Sequence, residues 1–517
     1  MSVDATETGR WAELLDGVES KRKRVSGSIP AGTKADLGQF LTPIDVARFM
    51  AGMFRHDRDE VRLLDPGAGI GCLTAAFVAA AVSGPRHTKA IHATLFEVDP
   101  KLAGELKETM VACKGLCSES SISFQYEIFT EDFIDHTASG LASPMLRSLA
   151  VDYDCVILNP PYKKLNSETS TRRILRAAGI EVNNLYSAFL ALGARLLRHD
   201  GELVGITPRS FCNGPYFKAF RYDFFSQMSL GAIHVYDSRS DAFRDDEVLQ
   251  ENIIFYAIKT PTQLSQVRIS TSLGPHDPEP RVRCVPHEEV IHPGDRERVV
   301  HVVTSDAGQS AATAVRQLRC GLHDLMLSVS TGRVVDFRAT PFLRGVQDRS
   351  TVPLIYPFNL ENGRVVWPKA HPKKPTAIVA CDRTRELLIP SECYVVVKRF
   401  SAKEERKRIV AAVYNPGPIG HRVVGFENHL NYFHIDGRGL PVTLARGLAA
   451  YLNSTVADSY FRNFNGHTQV NAQDLRSMKY PAREQLLALG KRAGENVCDE
   501  TLVDELLRQL GDQADSV

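Results

Sequence analysis

Between residues 36 and 260 the chain alternates apolar, β-rich runs with helical stretches, and no other feature constrains its fold as strongly. VRLLDP, ATLFEVD, YDCVILNPP, GELVGITP and ENIIFYAIK read as buried strands. IDVARFMAGMF, LTAAFVAAAV, PKLAGELKETMVA and LYSAFLALGARLLR read as helices. This alternation predicts an α/β fold with a doubly wound, Rossmann-like, mostly parallel sheet.

The remaining chain needs a second core, because 517 residues exceed one ordinary domain. Residues 1–35 read as a flexible N-terminal arm, and Lys21-Arg22-Lys23-Arg24 within it as solvated charge. Residues 36–260 form the first domain and 261–315 a connection. Residues 316–480, with short strands such as YVVVKRF and RIVAAVY, predict a mixed α/β second domain. Residues 481–517 read as an acidic helical tail containing the amphipathic TLVDELLRQL. Net charge is only +1, but residues 321–480 hold 22 Lys+Arg against 13 Asp+Glu, whereas residues 481–517 hold 4 against 8. A basic segment of that kind fits a DNA-facing domain. No apolar run approaches a membrane span, and MSVDATETGR is not a secretory signal. Ten scattered cysteines without a CxxC pair point to a reducing cytoplasm. The histidines show no HExxH spacing, so no metal is expected.

The glycine turn Gly67-Ala68-Gly69-Ile70-Gly71 follows strand VRLLDP and precedes a helix, as a ligand approaching the main chain requires. Asp65 at the strand end would repel a pyrophosphate but suits a cationic sulfonium amino acid. Glu97, in Phe96-Glu97-Val98-Asp99 at the tip of the next strand, is placed to clamp ribose hydroxyls. Asp132 follows a third expected strand, Ile122 to Phe129. It either accepts a hydrogen bond from a cofactor adenine, with Phe133 packing on the ring, or caps a helix. Thr42-Pro43 opens the helix IDVARFMAGMF, with Thr42 as N-cap and Asp45 completing a TxxD box. A free helix N-terminus would also let Thr42 hold a carboxylate.

The strongest signal is Asn159-Pro160-Pro161-Tyr162, directly after strand YDCVIL and so at the carboxyl edge of the sheet. The two prolines stiffen the turn and remove two donors. The Asn159 side-chain carbonyl and the Pro160 backbone carbonyl remain as acceptors. Placed on the two N–H bonds of an aromatic amine, they would favour a pyramidal nitrogen and free its lone pair for in-line attack. Tyr162 offers a stacking face, and Lys163 and Lys164 beside it either hold backbone phosphates or are solvated loop lysines.

With these motifs in order, the chain resembles the N6-adenine DNA methyltransferases of type II restriction–modification systems, in the class with the cofactor motifs first. GQFLTP, LLDPGAGIG, FEVD and NPPY carry the resemblance, which covers about residues 36–260. It implies S-adenosyl-L-methionine as cofactor, contacted by Thr42, Asp65, Gly67, Gly69, Glu97, Asp132 and Phe133. It implies a flipped adenine handled by Asn159, Pro160, Pro161 and Tyr162, with Phe243 of Asp241-Ala242-Phe243 packing on the base. GFENHLNYFH and FRNFNGHTQVNAQDLRSMKYP look like the PstI/BsuBI-like subgroup, whose palindrome CTGCAG is the implied site. In the C-terminal target-recognition domain Gln469, Asn471, Gln473 and Arg476 either read bases, because Gln and Asn can pair with adenine and Arg with guanine, or form a polar loop packed on their own domain. The expected partners are double-stranded DNA and a cognate endonuclease on another chain, and the expected location is the cytoplasm, at the nucleoid. NPPY also occurs in enzymes that methylate protein glutamine or RNA guanine. Cytosine-N4 methylation is the nearer alternative, usually carrying Ser in place of Asn159, and a catalytically dead DNA-binding methylase fold is a third. KEERKR contains an ExK triplet but no suitable upstream acid for a nuclease, and reads as a solvated helix face.

Overall fold

The computed structural model describes the chain except residues 1–6, 29–40, 86, 143–151, 167–168, 237–251, 276, 278, 305–313, 316–317, 319, 372, 402–404, 465–468 and 515–517. Two compact units result, Met1–Thr304 and Ser305–Val517.

Among the described residues the first unit is built on a nine-stranded sheet in the order β3-β2-β1-β4-β5-β7-β6-β8-β9. Its strands are β1 (Glu60–Pro66), β2 (Ala90–Phe96), β3 (Ser123–Phe129), β4 (Tyr153–Leu158), β5 (Leu197–Pro208), β6 (Met228–Tyr236), β7 (Asn252–Lys259), β8 (Gln266–Ser272) and β9 (Arg281–Pro286). β1 to β5 run parallel. β7 inserts antiparallel between β5 and β6, and β9 closes the edge antiparallel to β8. The sheet is covered on both faces, as the apolar strand runs require. Helices α1 (Glu7–Ser28), α2 (Ile44–Ala51), α3 (Cys72–Ser83) and α4 (Pro100–Glu119) share one core. Helices α5 (Phe133–Ala142), α6 (Ser170–Ala177), α7 (Leu185–Leu196) and α8 (Lys218–Gln227) share the other. Successive residues of β1 serve opposite faces, Leu63 in the first core and Leu64 in the second.

Local structure departs from the sequence reading in several places. The stretch expected to be a flexible arm is helical over Glu7–Ser28. Leu15, Val18 and Val25 recur at helical spacing and are buried in the first core. The basic run is only partly solvated charge: Lys23 and Arg24 are exposed, but Lys21 and Arg22 are not. Lys21 reaches Glu108 at 3.0 Å, Arg24 reaches Glu105 at 2.8 Å, and Arg22, 1% exposed, pairs with Glu19 at 2.8 Å. These partners lie on α4, some 80 residues away, and on α1 itself. The many charged residues of α1 made a packed helix read as a solvated segment, because their countercharges are distant in sequence. The expected connection 261–315 is not a linker through its first half. β8 and β9 add to the sheet, and the unit runs to Thr304.

The second unit holds two sheets among its described residues, ordered β10-β20-β17-β18-β14-β13 and β11-β15-β12-β19-β16. The strands are β10 (Ser328–Thr331), β11 (Leu343–Arg344), β12 (Thr351–Ile355), β13 (Leu360–Glu361), β14 (Arg364–Val365), β15 (Ala377–Val379), β16 (Leu388–Pro390), β17 (Tyr394–Lys398), β18 (Ala411–Tyr414), β19 (Val423–Phe426) and β20 (Leu430–His434). Helices α9 (Val442–Asn453), α10 (Thr455–Phe464), α11 (Ala472–Ser477), α12 (Arg483–Ala493) and α13 (Glu500–Ala514) follow. The acidic tail is therefore two helices belonging to this unit. α12 crosses α9 backbone to backbone, because Gly447 and Gly490 meet there: a Cβ on either would overlap a carbonyl of the facing helix. The described part of KEERKR is irregular rather than helical, and Arg408 is buried with its guanidinium 5.5 Å above the Phe461 ring. No described helix is long and apolar enough to cross a membrane.

Candidate active site

At the carboxyl edge of the parallel strands, the β1–α3 turn places Gly67, Gly69 and Gly71 at φ of 75°, 59° and 89°. Side chains rarely adopt this region, and at Gly71 a Cβ would also stand 2.8 Å from Leu106. The turn is tied to β2 by the Ala68 amide, which donates to the Phe96 carbonyl at 2.8 Å. Asp65 is 0% exposed, and its Oδ2 accepts from the Thr74 hydroxyl at 2.7 Å while Oδ1 has no hydrogen-bond partner. Burial pushes its pKa from 3.8 to about 7, against the pull of Thr74. Glu97, 4% exposed, accepts from the Gly69 amide at 2.9 Å and the Asp99 amide at 2.8 Å. Burial also raises it to about 7, with both amides opposing. Neither carboxylate has a Lys or Arg partner among the described residues. Two buried acids without a countercharge make a receptor for a cationic, hydroxyl-bearing ligand.

Asp132 is exposed and caps α5, accepting from the Ile134 amide at 2.8 Å and the Asp135 amide at 3.0 Å. Asp132 thus serves as the helix cap that the sequence offered. Phe133 is 2% exposed and packs between Phe96 and Phe189, centroids 5.2 and 5.1 Å away. Its ring belongs to the core and presents almost no face to a ligand.

The expected TxxD box does not form. Pro43 occupies the N-cap of α2 without a side-chain cap, and the Ile44 amide donates to Glu19 of α1 at 3.1 Å. The first amide of α2 is therefore already bound to a carboxylate of the chain itself. Thr42, 5% exposed, turns to the Asn159-Pro160-Pro161-Tyr162 motif instead: the Asn159 Nδ2 donates to its Oγ1 at 3.0 Å. On the other side of the same carboxamide, the Tyr162 hydroxyl donates to Asn159 Oδ1 at 3.2 Å, and lies 3.4 Å from the Ile206 carbonyl. Asn159 and Pro161 are half-buried and Pro160 is buried. Burial raises the Tyr162 phenol above its usual pKa, so it remains a donor at neutral pH. Its ring meets Tyr186 edge-on at 6.2 Å. Lys163 and Lys164 are exposed and make no ion pair among the described residues. Phe243 lies outside the described residues.

Sequence reading missed two contributors. Glu19 needed knowledge of α1. Thr74 was signalled only by a hydroxyl within the otherwise apolar helix that follows the glycine turn.

In the second unit Gln469 forms a bridge with Phe400, and Asn471 begins α11, its amide held by Asp474 at 2.9 Å. Arg476 donates to Gln473 at 3.3 Å and to the Val329 carbonyl of β10 at 2.8 Å. These four residues are thus gathered around one short helix, each engaged by its own unit.

Comparison with known proteins bears directly on this geometry. Residues 91–243 match the family model described as Eco57I restriction-modification methylase. The chain is 40% identical to the type II methyltransferase M.PstI of Providencia stuartii over 95% of its length and 96% of that protein. It is 42% identical to the type II methyltransferase M.BsuBI of Bacillus subtilis over 96% of its length and 98% of that protein. The chain belongs to the type II restriction–modification methyltransferases. Its fold is also similar to that of the type IIL restriction-modification enzyme MmeI, solved in complex with DNA, at a TM-score of 0.54 and 11% identity over 100% of this chain and 75% of that one. The methyltransferase's cofactor is S-adenosyl-L-methionine. The uncompensated pair Asp65 and Glu97 and the left-handed glycine turn fit a sulfonium that also carries an ammonium group and ribose hydroxyls.

Proposed function

We propose that this methyltransferase transfers a methyl group to the N6 amine of adenine at a short specific site in double-stranded DNA. The observation that carries the reading is the Asn159 carboxamide, held at the carboxyl edge of β4 with its oxygen on the side of Tyr162. Asn159 Oδ1 and the Pro160 carbonyl supply two fixed acceptors for the two N–H bonds of an exocyclic amine. Tyr162 gives a planar base a surface to meet. S-adenosyl-L-methionine, when bound, supplies an electrophilic methyl on a sulfonium. The residues for it are Asp65, Gly67, Gly69 and Glu97, with Asp132 at the outer end. Adenine N6 is inaccessible inside a stacked duplex, so the base must leave the helix. Lys163 and Lys164 are free of ion pairs among the described residues and suit the displaced phosphates.

The 316–480 segment is the proposed target-recognition region, supported by its basic excess. Gln469, Asn471, Gln473 and Arg476 remain its candidate readers, and Arg476 and Gln473 would have to exchange their mutual contact for bases. CTGCAG is the first site to test, a cognate endonuclease is expected on a separate chain, and the enzyme would work at the cytoplasmic nucleoid. The experiment is methylation mapping in a methylation-free bacterial host expressing the protein. N6-methyladenine at one palindrome is the expected result, and N4-methylcytosine in its place would overturn the assignment. Asn159→Ala should abolish transfer while leaving cofactor affinity nearly unchanged, as measured by tritiated-methyl incorporation and calorimetry. Normal turnover would make NPPY structural.

A further inference from the structure

We infer that His429 is a specificity-determining residue that reads a base edge of the DNA, held in position by the buried carboxylate of Glu427. The inference rests on the site-specific DNA methylation proposed above and places its sequence reading on one surface of the second unit.

Four neighbouring chain segments build this surface. The Asn428 amide donates to the Val334 carbonyl at 2.9 Å, the Arg399 amide to the His429 carbonyl at 2.8 Å, and the Val470 amide to the Arg399 carbonyl at 2.7 Å. These contacts bring Phe337-Arg338, His429, Phe400 and Gln469 to one part of the unit. Phe337 is 72% exposed, and Phe400 is exposed as well. The Arg338 guanidinium stands 5.4 Å above the Phe337 ring and that of Arg399 5.6 Å above Phe400. Neither arginine has an ion pair among the described residues. The neighbouring acids leave this charge uncancelled, because Asp336 pairs with Lys374 and Glu427 is 0% exposed. Unpaired guanidinium groups beside exposed rings suit a polyanion that also presents flat bases.

His429 stands within this surface, its ring 4.9 Å from that of Phe400. Both oxygens of Glu427 serve it. One accepts from the His429 backbone amide at 2.9 Å, and the other meets the ring at Nδ1. Glu427 has no Lys or Arg partner among the described residues. A buried carboxylate is costly, and this one is committed to a single ring. With Nδ1 turned to Glu427, Nε2 is directed away from it, on a side chain 46% exposed. Nε2 makes no hydrogen bond among the described residues. Whichever nitrogen carries the proton, Nε2 is the one free to meet a ligand. A phosphate needs only a positive charge nearby. A base edge needs a polar atom at a fixed place and in a fixed direction. A ring held by Glu427 and Phe400 meets that need with little left to order on binding.

The test compares His429→Asn and His429→Gln in the full-length protein. The asparagine NH2 falls near the place of Nδ1 and can still donate to Glu427, but nothing replaces Nε2. Glutamine reaches the place of Nε2 and gives up the contact with Glu427. A base reader and a residue that only partners Glu427 therefore predict opposite orders of damage. Methyl transfer is measured on duplexes carrying the site mapped for the wild type and each single-base variant of it. Thermal melting and the cofactor Kd check the fold. The asparagine variant should lose about 10-fold or more of its preference at one base pair and keep its preference elsewhere, with glutamine retaining more. An asparagine variant that discriminates like the wild type overturns the inference. So does a uniform loss across all sequences, which marks a phosphate contact or a packing role, and so does greater relaxation with glutamine than with asparagine. Should the asparagine variant not fold, Glu427→Gln combined with His429→Asn buries no carboxylate and carries the same comparison. A wild type that methylates every single-base variant equally would refute the site-specific reading itself, and that result is seen before any substitution is compared.

Discussion

Replacing Asp65 with asparagine should stabilise the free protein at pH 8 while removing its response to cofactor. Asp65 is fully buried, with one oxygen on Thr74 and the other unpartnered. Burial raises its pKa from 3.8 to about 7. Below about pH 4 the carboxyl is protonated in both folded and unfolded chains and contributes nothing. Between about pH 4 and 7 the unfolded chain releases a proton that the folded chain keeps, so stability falls as pH rises. Above about pH 7 both states are ionised and the loss is constant, with a ceiling of about 4 kcal/mol. Asparagine has no charge to desolvate and keeps an acceptor for the Thr74 hydroxyl. The variant should gain about 1–4 kcal/mol over the wild type at pH 8 and little at pH 4. A residual slope of the same sign should remain, because Glu97 is raised from 4.5 to about 7. Urea titrations at pH 4, 6 and 8, with and without S-adenosyl-L-methionine, measure both effects. Cofactor should stabilise the wild type and not the variant, since a cationic ligand compensates the buried carboxylate. A variant less stable than the wild type at pH 8, or one with an unchanged pH slope, would refute the reasoning.

Glu97→Ala should weaken cofactor binding by about 1.5–3 kcal/mol or more, because it removes a charged acceptor and also releases the Gly69 amide; calorimetry on folded protein checks this. Gly447→Ala should destabilise the second unit by about 1–3 kcal/mol, since its Cβ would overlap the Leu486 carbonyl; urea melts would show the loss. A fragment ending at Thr304 should remain soluble and bind cofactor but not a specific DNA site, while one ending near residue 265 should aggregate, having exposed the β6 edge that β8 pairs with; gel filtration and calorimetry distinguish the two.

The part of the site that could be read from sequence lies in contiguous segments. The glycine turn, Glu97 and NPPY each sit at the end of an apolar strand run. Once the runs are recognised as parallel strands, their carboxyl ends must share one edge, so the motifs converge without further information. The alternation that defined the sheet is equally local, because strand and helix periodicity are properties of neighbours along the chain. The same reasoning could not reach β6, β8 and β9. Their partners, not their own pattern, decide that they extend this sheet.

What the sequence determined by itself was the fold class and the order of its motifs, because both follow from periodicities of two and 3.6 residues and from turns made by adjacent residues. Only the tertiary structure decided how the side chains divide the work. Thr42 left its expected capping role because Glu19, on a helix that had read as a mobile arm, holds the α2 amide. Phe133 went to the core because Phe96 and Phe189 enclose it. The tail became structure because two glycines allow α9 and α12 to touch along their backbones. In each case the deciding partner lies tens of residues or more away in the chain, and a hydrogen bond or a close contact over that separation exists only after the elements have packed.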